Sequence, residues 1–140
     1  MAQGNEVLGE ALYALAAGVI RRRSRTLSLT SLSTLATLER TGPRRLTDLA
    51  VAEEITQPSM TSLVTQLEQL GLVERRRDLA DARVVLVAIT RGGRQLMRER
   101  RRVGAQALTD LIDKLDEQDV AELNAAIPAL LRLVQLVSDS

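Results

Sequence analysis

The chain has 140 residues, about one ordinary domain, and its 45% hydrophobic and 26% charged residues describe a globular rather than a disordered chain. It contains no cysteine and no histidine. That excludes disulfides and thiol chemistry, and it removes the commonest general base and metal ligand. The net charge of +1 is unevenly spread: residues 1–71 are neutral, 72–102 carry +6 and 103–140 carry −5. A basic middle ahead of an acidic tail points to a local anionic partner.

Lys114 is the only lysine among nineteen basic residues. Arginine's planar fork suits phosphates and base edges, although a GC-rich genome produces the same bias. The longest apolar run, Ala11 to Ile20, has ten residues, half of the ~20 needed to span a bilayer. Glu6 and Glu10 precede it and arginines follow it, the wrong order for a secretory signal. The expectation is a cytoplasmic protein with no membrane partner.

The first segment, Glu6 to about Arg23, places Val7, Leu8, Leu12, Leu15, Val19 and Ile20 near helical spacing. A second helix carries Leu32, Leu35, Ala36 and Leu38 inside, with Thr30 or Ser31 as its N-cap and Gly42-Pro43 as its stop. Thr47 is the expected cap of a short third helix bearing Leu49, Ala50 and Ala52, which ends near Glu54. Thr56 caps the next helix, and Pro58 stands in its first turn, where a missing N–H costs little. Met60, Leu63, Val64, Leu67 and Leu70 then form a buried stripe that Gly71 terminates.

After Gly71 the period changes. Leu72 to Arg77 and Val84 to Ile89 read as the strands of a β-hairpin with a charged loop, Asp78 to Arg83. Thr90 caps a long helix with Leu96, Val103, Ala107, Leu108, Leu111, Ile112 and Leu115. Asp116 caps a last helix, which Pro128 should kink near Asn124. The fold class is mainly α with a small β-hairpin, a winged helix-turn-helix with flanking helices at both ends.

The polar face of the fourth helix carries Gln57, Ser59, Thr61, Ser62, Thr65, Gln66 and Gln69, with Glu68 its only charge. An ordinary solvated face favours Glu and Lys, whereas short hydroxyl and amide side chains can enter a major groove and meet base edges. Arginines of the hairpin can reach phosphates or a narrow minor groove. Double-stranded DNA is therefore the expected partner. Arg75, Arg76 and Arg77 alternate sides on a strand, so two of the three can touch phosphates. Arg44 and Arg45, before the third helix, are further candidates. Arg21 to Arg23 and Arg100 to Arg102 read as solvated surface.

On these residues the chain resembles the multiple-antibiotic-resistance regulators, the MarR family. The resemblance runs through Leu49-Ala50, Thr56 to Val64, Leu67 to Arg75, Asp78 to Arg83 and Val87 to Arg94. With the flanking helices in matching order it covers nearly the whole chain. Two positions depart from the pattern. Ala80 replaces the first arginine of the wing motif, so one DNA contact of the family is missing or moved. Glu54 stands where the turn usually has glycine, implying a distorted turn or a carboxylate near the DNA face.

The resemblance implies one MarR-type domain over 1–140, with a DNA-binding core at 27–91 and dimerisation helices at 1–26 and 92–140. The helical stripes after the wing independently call for a homodimer, because they must be buried somewhere. Carried over by position, Pro58, Ser59, Thr61 and Ser62 would face the major groove. Arg83 would lie in the wing, contacting DNA or pairing with Asp78 or Asp81. The family also implies a small aromatic or phenolic effector rather than a cofactor, with Tyr13 and Arg21 as candidate lining, although for Tyr13 a place in the core or dimer interface is the preferred reading. The oxidation-sensing branch of the family is excluded for want of cysteine. The function expected is a ligand-responsive repressor that binds a pseudo-palindromic operator as a homodimer. The competing reading is a winged-helix module that binds protein through the same faces. Catalytic and metal-binding residues are not expected, since no acid/base pair or glycine-rich phosphate loop accompanies the missing His and Cys.

Overall fold

A computed structural model describes residues 1–21 and 27–139. Its elements are α1 (Ala2–Arg21), α2 (Leu29–Thr41), β1 (Arg44–Arg45), α3 (Leu46–Ala52), α4 (Gln57–Gln69), β2 (Val73–Arg77), β3 (Val85–Ile89), α5 (Arg91–Ile112), α6 (Glu117–Ala125) and α7 (Ile127–Ser138). Helix α1 begins at Ala2 rather than Glu6. Its expected end, with Arg22 and Arg23, lies outside the described residues.

Helix α2 is capped by Ser28, whose Oγ accepts from the Ser31 N–H at 3.0 Å. This corrects the expected cap at Thr30 or Ser31. Ser31 instead lies one turn inside, buried, and receives the Ser28 hydroxyl at 2.9 Å. Thr34 is also buried and satisfied, donating to the Thr30 carbonyl at 2.8 Å. Ala36 is exposed, so the inner face of α2 is drawn by Ser31, Thr34, Leu35 and Leu38.

Thr47 does not cap α3. The chain leaves Gly42-Pro43 in an extended conformation, pairs as β1 with β3, and turns directly into the helix with Arg45 at the cap position. Asp48 in the first turn offers its charge to the helix N-terminus in place of a capping hydroxyl. Strand β1 is an element the sequence reading lacked. It converts the hairpin into a three-stranded antiparallel sheet of order β1-β3-β2, with Arg44 opposite Val87 and Val73 opposite Ile89.

The turn between α3 and α4 keeps its backbone bonds, Glu53 to Leu49 and Ile55 to Ala50, each at 3.0 Å. Glu54 takes the left-handed conformation, φ +54°, that a glycine would adopt freely. The turn is therefore undistorted but strained at one residue. Helix α4 is capped as expected, with Thr56 Oγ1 accepting from the Ser59 N–H and Pro58 in the first turn. Of its apolar stripe, Met60, Val64 and Leu67 are buried and Leu63 is half-buried, while Leu70 is exposed.

The core joins Leu35 and Leu38 of α2, Leu49 and Ala50 of α3, Met60, Val64 and Leu67 of α4, and Val73, Val87 and Ile89 of the sheet. Leu96 and Met97 from the start of α5 pack against it. This start is set by Thr90, whose hydroxyl donates to the Gly71 carbonyl at 2.6 Å and accepts from the Gly93 N–H at 3.1 Å. A side chain on Gly93 would meet the Leu72 carbonyl oxygen at 2.2 Å, so only glycine fits there.

The chain forms two compact units, Ile20–Arg102 and the paired segments Met1–Val19 and Val103–Ser140. The first of these, the winged unit, includes the first half of α5. In the other unit α1, α6 and α7 contain no buried residue. The last helix is not one kinked rod. Pro128 cannot continue a helical hydrogen-bond ladder, so α6 ends at Ala125 and α7 restarts at Ile127, bent by 51°. No single helix among the described residues is long and apolar enough to cross a membrane.

Candidate nucleic-acid interface

Helix α4 turns its apolar stripe inward, which leaves the opposite face to small polar side chains. Gln57, Pro58, Ser59, Thr61, Ser62 and Gln66 are exposed and Thr65 is half-buried. Their hydrogen-bonding capacity is not equally free. The Ser59 hydroxyl receives that of Thr56 at 2.8 Å. Thr61 and Thr65 donate to the carbonyls of Gln57 and Thr61, at 3.0 and 2.9 Å. Ser62, near the centre of the outer face, keeps its hydroxyl uncommitted among the described residues. A short, free donor and acceptor of this kind can address a base edge if the backbone comes close to the groove.

The wing is built by strands β2 and β3 and closed by two aspartates. Asp78 accepts from the Ala80 N–H at 2.9 Å, and Asp81 accepts from the Arg83 N–H at 3.0 Å. The Arg83 guanidinium returns to Asp81 at 3.1 and 3.2 Å, the pairing alternative of the sequence reading. The Arg83 side-chain bond, then its backbone N–H, and more weakly the charge of Arg45, hold the Asp81 carboxyl below the usual aspartate range against a small opposing effect of desolvation. Leu79 stands fully exposed at the tip, and Ala80 leaves that side of the loop uncharged.

The three arginines of β2 differ in their ties. Arg76 pairs with Glu74 on its own strand at 2.6 Å. Arg77 spans the loop to the Ala82 carbonyl at 3.2 Å. Arg75 leaves the sheet for α4, pairing with Glu68 and donating to Thr65 Oγ1 at 3.2 Å. Arg44 and Arg45 are exposed on β1, where Arg44 Nε donates to Thr41 Oγ1 at 3.2 Å.

Elsewhere, Arg101 is held by Glu39 of α2 at 2.7 Å and Arg102 by Glu99 at 2.7 Å, so these two exposed residues are ion-paired rather than simply solvated. Tyr13 is 78% exposed and Arg21 is exposed. An open hollow along α5 is lined by Arg91, Gln95, Arg98, Glu99 and Arg102, and includes neither of them. Sequence reasoning passed over Glu68 as a site residue. The signal was its spacing of seven residues from Arg75 across the Gly71 turn, which brings helix end and strand start side by side.

The MarR family model matches residues 27–85, from before α2 to the start of β3. An HTH-type transcriptional regulator of Mycobacterium bovis is 32% identical over 114 residues, 81% of this chain and 80% of the relative. The chain belongs to the MarR family. Among solved structures, the transcriptional regulator Tm0710 of Thermotoga maritima superposes with a TM-score of 0.78 at 19% identity, over 100% of this chain and 99% of that one. BpsR of Bordetella bronchiseptica, whose DNA binding is regulated by 6-hydroxynicotinic acid, superposes with a TM-score of 0.56 at 24% identity, over 97% of this chain and 93% of that one. As a MarR-family protein the chain is a transcriptional regulator with a DNA-binding winged helix, and the family is not one of enzymes.

Proposed function

We propose that this regulator is a ligand-responsive repressor that binds a pseudo-palindromic operator as a homodimer in the cytoplasm. The observation that carries the reading is the outer face of α4, where Ser62, Gln57 and Gln66 are exposed beside Thr61 and Thr65 without a single basic residue. Such a face contributes little to non-specific attraction and reads bases by short hydrogen bonds. Arg44 and Arg45 on β1, Arg76 and Arg77 on β2 and Arg83 in the wing are the candidate phosphate or minor-groove contacts.

Dimerisation is supported by exposed apolar residues on α1 and α7. Val7, Leu8 and Leu15, and Leu131, Val134, Leu136 and Val137, are each at least 50% exposed. Stripes of this size are normally covered by a partner, and a second copy with two-fold symmetry suits a palindromic site. The effector is a small aromatic or phenolic acid, with Tyr13 and Arg21 as candidate lining; the regulation of BpsR by 6-hydroxynicotinic acid is the likeness that supports that chemistry.

The test is a pair of titrations at one fixed salt concentration, with the preferred duplex and with a scrambled one. Ser62→Ala should weaken the preferred duplex by ~1–3 kcal/mol and leave the scrambled one unchanged. Equal loss on both, or none, would mean that α4 is not the reading element and would favour protein recognition by the same face.

A further inference from the structure

Arg75 differs from every other basic residue of the interface in reaching a second element at three points. Its guanidinium pairs with one Glu68 oxygen. Its backbone N–H donates to the other Glu68 oxygen at 3.3 Å. Its Nη2 donates to Thr65 Oγ1 at 3.2 Å. Glu68 and Thr65 belong to the C-terminal half of α4, and Arg75 to the middle of β2.

Arg76 and Arg83, by contrast, hold acids two residues away, so their ion pairs stiffen only a strand and a loop. The exposures separate the cases as well. The Arg75 and Glu68 side chains are 31% and 40% exposed, whereas Arg83 is 90% exposed. A carboxylate held by a backbone N–H and a guanidinium of the same residue has little freedom left, and the shielding reduces competition from water and salt.

The charges lead to the same conclusion. Glu68 is the only ionised side chain of α4, and an uncompensated carboxylate there would repel the phosphates flanking a groove. Arg75 cancels it, so little of its own charge remains for DNA. Thr65 donates its hydroxyl proton to Thr61 and accepts from Arg75, which leaves that hydroxyl no free proton to offer a base edge.

We infer that Arg75 is a positioning residue and not a phosphate contact: with Glu68 and Thr65 it locks the second half of the reading helix to the wing, so that both approach DNA as one rigid piece. The inference rests on the DNA reading above, and the experiment separates the two. Arg75→Ala, Glu68→Ala, their double variant and Arg77→Ala are titrated across a salt series. The probes are the best duplex recovered by in vitro selection from a randomised library, and poly(dI-dC).

Arg75→Ala should lower affinity for the selected duplex about tenfold, and the double variant, which leaves no unpaired carboxylate, should keep the wild-type log–log salt slope. Arg77→Ala should reduce that slope by about 0.9 on both probes, as a lost phosphate contact does. Adding Glu68→Ala to Arg75→Ala should restore part of the affinity, because the unpaired carboxylate is gone. A reduced slope for the double variant, or additive losses in it, would overturn the inference. Hydrogen exchange without DNA reads the lock directly: the Arg75 amide should exchange faster in Glu68→Ala, and an unchanged rate would also overturn it. If the wild type shows no preference for the selected duplex, the DNA reading fails, and the exchange rate alone then decides the lock.

Discussion

The winged unit and the terminal unit come from one chain yet solve the problem of apolar surface in opposite ways. In the winged unit Leu35, Leu38, Met60, Val64 and Leu67 are completely buried, drawn from the two helices α2 and α4, which share one core with the sheet. In the terminal unit Leu131, Val134, Leu136 and Val137 of a single helix are 61% to 78% exposed. The first is a core that one copy completes. The second leaves its apolar side chains exposed within one copy. If the proposed dimer forms through these exposed faces, stability and assembly belong to different segments, and substitutions in each should be felt by different measurements.

The largest effect should follow from opening the finished core. Leu38→Ala should lower unfolding stability by about 2–5 kcal/mol, seen as an earlier denaturant midpoint, because Leu38 is completely buried in the core and its truncation leaves a cavity. Leu131→Ala with Val134→Ala should instead leave the unfolding of the winged unit alone. It should raise the dimer dissociation constant by about tenfold or more, some 1.4 kcal/mol, measured by light scattering over a dilution series. If this pair lowers stability without changing oligomeric state, the terminal helices complete their core within one copy, and the comparison breaks.

A smaller effect sharpens the account of the finished unit. Glu54→Gly should stabilise it by about 1 kcal/mol by relieving the left-handed strain, provided the carboxylate has no role in folding; a lower melting temperature would show that it has one. The smallest effect concerns the wing tip. The Asp81 carboxyl should titrate below the ordinary 3.8 by NMR, and Arg83→Ala should return it upward. A folded-state value lowered in this way contributes stability above the unfolded-state value, and loses it as pH falls through the folded-state value. The wing loop should therefore loosen only in acid, while neutral and alkaline pH leave it intact.

Much of this architecture is written in local chemistry. Thr56 and Pro58 open α4, Gly71 closes it, Asp116 opens α6, and the stripe of Met60, Val64 and Leu67 declares its inner face. These signals act within one or two turns, so sequence spacing reveals them. What escaped is set by partners distant along the chain. Strand β1 exists because β3 offers it a free edge some forty residues later, and two arginines carry no strand propensity of their own. Ser28 outcompeted Thr30 and Ser31 as a cap because placing the helix start there buries Ser31 with its hydroxyl bonded. Pro128 announced a disturbance, but whether a helix bends or restarts depends on what its last turn can bond to, and Ala126 found carbonyls of Glu122 and Leu123. For the site, the face of α4 was legible, whereas the capture of Arg75 by Glu68 needed the turn between them folded.

Strand β1 also sets how this molecule can tolerate change in length. Only Gly42 and Pro43 separate the end of α2 from Arg44, and Arg44 and Arg45 are already in register with Val87 and Leu86. Successive residues of a strand face opposite ways, so one residue inserted after Pro43 would exchange the directions of the two arginines or tear β1 from the sheet. The wing loop, 78–84, lies beyond the last ladder pair, Arg77 with Val85, and can lengthen without disturbing any register. Insertions and deletions should therefore accumulate at the wing tip and be purged from the two-residue link ahead of β1.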